Sequence, residues 1–212
     1  HLSHLKTKNV HGIILDLRNN GGGSLKDAVS GSGHFIKFGP IVQVKSPNEK
    51  KNTLYDFNPE VVYDGPLVVL VNHYSASASE ILAAALQDYK RAVIVGTDQS
   101  FGKGTVQTFV ELDAFLSPTQ QNLKPLGSLK LSIQKFYRIN GGSTQYKGVT
   151  PDIILPSMSD YLDVGEKTLP NSLKWSKVDA LKYTKWTDDL PYKLLKENSQ
   201  IRLKNNPQFT YI

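Results

Sequence analysis

Residues 66–90 read PLVVLVNHYSASASEILAAALQDYK, and this stretch decides the fold class. Its first part, 66–72, is a nearly continuous apolar run, which is typical of a strand covered on both faces. From about Ala78 onward, Ala and Leu recur at a spacing that predicts a helix. A buried strand, a short turn and a helix together form the repeating unit of α/β folds.

The same alternation extends to both sides of this unit. VHGIILDL at 10–17 and RAVIVG at 91–96 are further buried strands, and later stretches such as LKLSIQKFYR at 129–138 are strand-rich. The pattern predicts an α/β core with a mixed sheet over 1–157. From residue 158 to 212, Lys, Trp and Tyr recur at helical spacing, so we expect a separate helical C-terminal extension there.

Composition excludes several classes of protein. The 212 residues have a net charge of +6, with 16 basic against 12 acidic residues in 1–157 and 9 against 7 in 158–212. This spread-out excess argues against a nucleic-acid binder, which concentrates its basic residues in a stripe. No apolar run approaches the roughly 20 residues that a membrane span needs. The absence of cysteine excludes disulfides and a thiol nucleophile, and agrees with an oxidising compartment such as a periplasm.

Three serines stand where this turn meets the predicted helix, at Ser75, Ser77 and Ser79. Unpaired backbone N–H groups and the positive end of the helix dipole meet at such a junction, where they stabilise a developing oxyanion. Serine is also a preferred helix N-cap, so this stretch alone leaves capping as the simpler interpretation.

A candidate base follows in FGKGTVQ, where Lys103 stands between two glycines. Burial lowers the pKa of a lysine amine by up to about 3–5 units, which permits the Ser–Lys form of nucleophilic catalysis. The period of a strand puts Gln107 on the same face as Lys103, where its amide would orient the amine. The alternative for Lys103 is an ordinary surface lysine.

The turn RNNGGG supplies a possible third element, because glycines present unobstructed backbone N–H groups. Three glycines in a row also occur in plain turns, so this signal is weak when it stands alone.

Other side chains have structural interpretations. His73 precedes Ser77 by four positions and would serve a Ser-His-Asp site only if the turn folded back. Asp16 and Arg18 flank a strand end, where a structural pair is expected, and Trp175 and Trp186 are expected to pack against the core. The remaining histidines show no metal-ligand spacing: His1, His4, His11 and His34.

Taken together, four segments resemble the tail-specific, or C-terminal processing, serine peptidases: DLRNNGGGSL, SASASEI with AAALQDY, FGKGTVQ, and IQKFYRINGGSTQYKGVTPDI. The similarity runs in order from about residue 8 to 157. It implies a crotonase-like α/β fold with Ser77 as the nucleophile, Lys103 as the base and Gln107 as its orienting amide. It also implies an oxyanion hole made by the backbone N–H groups of Ala78 and Gly22, with Gly21 as the fallback, and neither a metal nor another cofactor.

The resemblance also credits an aspartate in QDY, which is Asp88 here. Eleven residues of helix would place Asp88 about 16 Å from Ser77, so we expect it to support the fold, through an ion pair with Lys90, Arg91 or a distant loop.

The resemblance implies an endopeptidase that cleaves polypeptides near disordered, small-apolar C-termini in the periplasm or cell envelope of a bacterium, with an adaptor or self-assembly as further candidates. The chain opens HLSHLKTKNV, so we expect a fragment of a longer precursor whose N-terminal region and PDZ domain lie outside it. Two alternatives stay open: a catalytically silent module that binds peptide tails by strand addition, and a Ser–Lys amidase acting on small molecules.

Overall fold

A computed structural model describes residues 1–186, 190–209 and 212. Eight strands run through this part of the chain: β1 Ile13–Asp16, β2 Gly39–Lys45, β3 Asn52–Asp56, β4 Leu67–Val71, β5 Val93–Gly96, β6 Thr105–Glu111, β7 Ser128–Tyr137 and β8 Ile153–Ile154. The α-helices are α1 Leu2–Thr7, α2 Leu25–Gly33, α3 Ala78–Asp88 and α4 Tyr192–Asn205. None of the helices in the described ranges has the length and apolarity needed to cross a bilayer.

The first sheet is entirely parallel, in the order β1-β4-β5-β8. Val69 and Ile94 form one of its pairs and are completely buried. Strands buried in this way carry continuous apolar runs, which is why the sequence pattern identified them.

The second sheet is antiparallel, in the order β3-β2-β7-β6. The α/β class is therefore confirmed, but the expected mixed sheet is instead two separate sheets of opposite type. β3 lies in a polar segment, and its pairing with β2 supplies order that its own residues do not signal.

Helix α3 forms the centre of the hydrophobic core. Its residues Ala83, Ala84, Ala85 and Leu86 are at most 2% exposed. Small side chains let neighbouring elements approach the helix axis closely, and α3 packs against α2, β2 and β5.

In the described part of the C-terminal extension, α4 is the one α-helix; the rest is an irregular strap with three short 3-10 turns, so the expected helical extension is present only in part. Gly165, at φ +134°, and Pro170 interrupt helical geometry. Backbone N–H groups of Glu166, Val178 and Leu181 donate to carbonyls of the core. As expected, its tryptophans are packing anchors. The Trp175 indole donates to the Ser143 carbonyl at 3.0 Å, and the Trp186 ring lies 4.7 Å from the Arg91 guanidinium.

Candidate active site

The nucleophile candidate Ser77 lies in a strained turn between β4 and α3. Its backbone has φ 57° and ψ −114°, in a region that non-glycine residues rarely occupy. Such a conformation costs about 1–3 kcal/mol and persists only where the surroundings enforce it.

The glycine turn after β1 presses against the Ser77 turn. Gly22 has φ +101°, and a Cβ atom built there would lie 2.7 Å from the Ala76 carbonyl oxygen and 2.9 Å from the Ala78 nitrogen. The Ala76 N–H donates to the Asn20 carbonyl at 3.0 Å. Only glycine allows this approach, so the two turns hold each other in place.

A cavity of about 220 Å³ brings the candidate residues together. Ser77, Ala78, Lys103 and Gln107 all line it. The apolar part of its wall is formed by Leu25, Ile81, Val106, Phe109 and Phe136.

The environment of Lys103 favours its neutral form. Burial lowers the pKa of the amine, and the positive charge of Lys130, which lines the same cavity, lowers it further. The carboxylates of Glu166 and Glu80 act in the opposite direction. The net shift is downward, as a lysine base requires.

The side chains of this constellation share the cavity without being hydrogen-bonded to one another. Ser77 and Lys103 each donate a backbone N–H to Glu80, and the Lys103 carbonyl accepts a hydrogen bond from the Thr144 hydroxyl at 2.9 Å. Gln107 is exposed, and the pairing of β6 with β7 shifts register directly before it. Both residues of the predicted dyad therefore line one cavity.

Sequence reasoning missed Glu80, which is fully buried and accepts four hydrogen bonds. Its Oε2 accepts the N–H groups of Ser77 and Lys103 at 2.8 and 3.0 Å. Its Oε1 accepts the Gly102 N–H at 2.7 Å and the Ser100 hydroxyl at 2.5 Å. The available signal was the Ser-x-x-Glu spacing of a capping box, from Ser77 to Glu80.

Burial raises the pKa of Glu80 to about 7, although all four hydrogen bonds favour the carboxylate and lower it. This single carboxyl group connects the serine turn to the lysine loop, because it accepts backbone N–H groups from both. Its pKa places its change of charge near neutral pH.

The two candidate oxyanion donors lie in different surroundings. Ala78 opens α3 and lines the cavity. The Gly22 N–H, however, donates to Asn20 Oδ1 at 3.0 Å, and it is Gly23 that lines the cavity with Ser77. The fallback Gly21 faces open space.

Asp88 lies at the opposite end of α3 from Ser77 and forms an ion pair. Its carboxylate accepts from the Arg138 guanidinium at 2.7 and 3.0 Å and from the Asn140 amide at 2.8 Å. The side chain is 6% exposed. The expected ion pair is therefore present, and its partner is Arg138, which directly follows β7.

Asp16, Arg18 and His73 all have side-chain partners in the structure. Asp16 and Arg18 form a bidentate pair, as predicted. His73 does not serve Ser77, because its two ring nitrogens contact Ser159 and Asp98.

The sequence model of peptidase family S41 matches residues 1–155 of this chain. The chain belongs to peptidase family S41. A second model, described as the C-terminal domain of tail specific protease, matches residues 159–212. The resemblance that the sequence motifs indicated is thereby confirmed.

Named relatives of this S41 chain agree. It is 43% identical over 209 residues to "Tail-specific protease" of Haemophilus influenzae, covering 97% of this chain and 30% of that protein. It is 40% identical over 181 residues to "Carboxy-terminal-processing protease" of Bartonella bacilliformis, covering 81% of this chain and 38% of the relative. The S41 chain thus spans about a third of the length of these relatives.

Among solved structures, the S41 chain resembles "Photosystem II D1 C-terminal processing protease" with a TM-score of 0.61 and 32% identity. The match covers 72% of this chain and 36% of that one. The similarity therefore extends from the motifs to the arrangement of the core.

Proposed function

We propose that this chain carries the catalytic centre of a serine endopeptidase in which Ser77 is the nucleophile and Lys103 the general base. The observation that supports it is one cavity lined by both side chains, with Glu80 holding both backbones. Membership of family S41 and the names of the relatives agree with peptide-bond hydrolysis.

The reaction begins when neutral Lys103 rotates to within about 2.6–3.2 Å of the Ser77 hydroxyl and accepts its proton. Ser77 Oγ forms a bond to the scissile carbonyl carbon, and the carbonyl oxygen becomes an oxyanion. Lys103 then donates the proton to the amine as the C–N bond breaks. A water, deprotonated by the same lysine, releases the acyl group and restores Ser77.

The oxyanion would be held by the backbone N–H groups of Ala78 and Gly22. Ala78 is well placed for this, because it begins α3 and lines the cavity. For Gly22 to contribute, its N–H must leave Asn20 Oδ1, whereas Gly23 is already at the cavity wall. Gln107 is proposed to orient Lys103 after a side-chain rotation.

The proposed substrates are polypeptides with disordered, small-apolar C-termini. The apolar wall of the cavity suits such side chains, and a tail-specific or C-terminal processing role is what the names of the relatives describe for those proteins.

We further propose that the chain divides into a peptidase core at 1–157 and an extension at 158–212, and that the core has a crotonase-like fold. The proposed location is the periplasm or cell envelope, and the proposed partner is an adaptor or a second copy of the chain.

A fluorophosphonate probe tests the proposal, because it reacts only with an activated serine. Labelling is expected in the unaltered protein and absent in Ser77→Ala, and Lys103→Met is expected to reduce its rate at least about a hundredfold. The neighbouring Ser79→Ala is the matched control and should still label. Labelling that persists in Ser77→Ala would contradict the assignment.

One observation favours the second candidate, a silent module that binds peptides. β6 is the edge of the antiparallel sheet and leads directly from the Lys103 loop, so an extended peptide is able to pair with it. Binding of a tail peptide to a protein that resists the probe would favour this candidate over the peptidase.

A further inference from the structure

Outside the catalytic cavity, three side chains capable of binding a metal converge where the loop after β4 meets the C-terminal extension. They are His73, Asp98 and Asp160, and their nearest ligand atoms all lie within 4.8 Å of one another. We propose that they form a binding site for a divalent transition-metal ion of the Zn²⁺ type. One imidazole nitrogen and two carboxylate oxygens are a ligand set that such ions accept.

The distances suit an ion between the three groups. Zinc bonds of about 2.0–2.1 Å in tetrahedral geometry place neighbouring ligand atoms roughly 3.3 Å apart. His73 Nε2 lies 3.8 Å from Asp160 Oδ1 and 2.5 Å from Asp98 Oδ1. The Asp98 contact is shorter than a bound ion requires, but this side chain is 62% exposed and is free to move outward.

Charge also favours a cation at this point. Two carboxylates approach one nitrogen of a histidine whose side chain is only 7% exposed. Two carboxylates this close together attract a cation. A divalent ion would neutralise both carboxylates while the imidazole stays neutral.

Contacts around the cluster hold the ligand atoms toward a common point. Ser159 Oγ lies 2.9 Å from His73 Nδ1, and when Nδ1–H donates to it, Nε2 presents its lone pair. The Ser157 N–H donates to Asp160 Oδ2 at 2.9 Å, which leaves Oδ1 for the ion. Proteins commonly orient metal ligands through such supporting hydrogen bonds.

The three ligands come from three different segments. His73 lies between β4 and Ser77, Asp98 lies between β5 and Lys103, and Asp160 lies at the start of the extension. An ion bound here would tie the extension to the loops that carry the nucleophile and the base. Exposure on the Asp98 side leaves room for water as a further ligand.

Zn²⁺ alone is the probe, titrated by calorimetry into Ser77→Ala, so that the outcome does not depend on the proposed peptidase activity. We expect this protein to bind one more equivalent of Zn²⁺ than the same protein carrying Asp98→Asn and Asp160→Asn. Asp98→Asn alone is expected to weaken that binding at least about tenfold. Asp98 is exposed, so its variant should fold normally, which circular dichroism checks.

Two controls separate this site from other binding. The exposed Asp163→Asn should keep the additional equivalent. Replacing His1 and His4, which lie on or beside the short helix α1, with alanine should also keep it. Equal stoichiometry and affinity with and without Asp98 and Asp160 would overturn the proposal, as would loss of the additional equivalent when His1 and His4 are replaced.

Discussion

The backbone N–H groups of Ser77 and Lys103 donate to the same carboxylate oxygen, Oε2 of Glu80, at 2.8 and 3.0 Å. The turn that carries the proposed nucleophile and the loop that carries the proposed base thus share one buried acceptor. Displacement of that acceptor moves both, so the separation of the dyad depends on a residue that takes no part in the proposed chemistry.

Replacing Glu80 with glutamine should lower the reactivity of Ser77. The amide keeps the size of the side chain but turns an N–H₂ group toward backbone donors, which shifts one turn or the other. A misplacement of about 1 Å costs roughly a hundredfold in rate. The fluorophosphonate labelling rate measures this effect, and the exposed Glu60→Gln is the matched control. An unchanged rate in folded Glu80→Gln would show that the shared acceptor does not position the dyad.

Stability should depend on pH through the same group. The pKa of Glu80 is about 7 in the folded chain against an ordinary value of 4.5, so the folded chain holds a proton that the unfolded chain releases between these values. Its contribution to the free energy of unfolding is complete below pH 4.5 and is lost as pH rises to about 7. Urea unfolding across this range measures the slope, and Glu80→Gln should remove this component. An identical slope in both proteins would contradict the prediction.

Lys130 should tune the proposed base. Its positive charge lowers the pKa of Lys103, so Lys130→Met should raise that pKa and move the pH midpoint of serine labelling upward. The pH profile of the labelling rate is the measurement. Lys124→Met, in the exposed connector before β7, is the control and should leave the midpoint unchanged. A midpoint that stays fixed in Lys130→Met would rule out this effect of Lys130.

Asp88→Asn should destabilise the fold without changing the reactivity of Ser77 per folded molecule. Removing one partner of a largely buried ion pair leaves Arg138 uncompensated and costs about 3–5 kcal/mol. Urea unfolding measures the loss, with the exposed Asp64→Asn as control. Loss of labelling in a protein that remains fully folded would instead assign Asp88 a direct part in the chemistry.

Gly22→Ala should disturb the two interlocked turns. The new Cβ would lie 2.7 Å from the Ala76 carbonyl oxygen, and φ +101° is strained for alanine. We expect a loss of roughly 1–3 kcal/mol in unfolding free energy, together with slower labelling. Gly21→Ala points into open space and serves as the control. Equal stability of the two variants would show that the contact at Gly22 is not needed.

Local patterns were sufficient for much of the fold and for several of the residues that line the candidate site. The apolar runs at β1, β4 and β5 and the periodicity of α3 are properties of short segments, so they were readable directly. The motifs around Ser77 and Lys103 identified the family and put both residues in one site, which the cavity agrees with. The helical pattern in the extension was less informative, because Gly165, Pro170 and contacts with the core override it along the strap.

The sequence by itself determined which short segments are buried, and it carried the motifs of a serine peptidase, because both depend on residues close together in the chain. Only the tertiary structure decided that Ser100, Gly102, Lys103 and Ser77 all donate to Glu80, and that Asn20 occupies the Gly22 N–H. It also decided that His73, Asp98 and Asp160 meet. These contacts join separate loops, and their geometry follows from how the sheets and helices pack, which residue spacing does not encode.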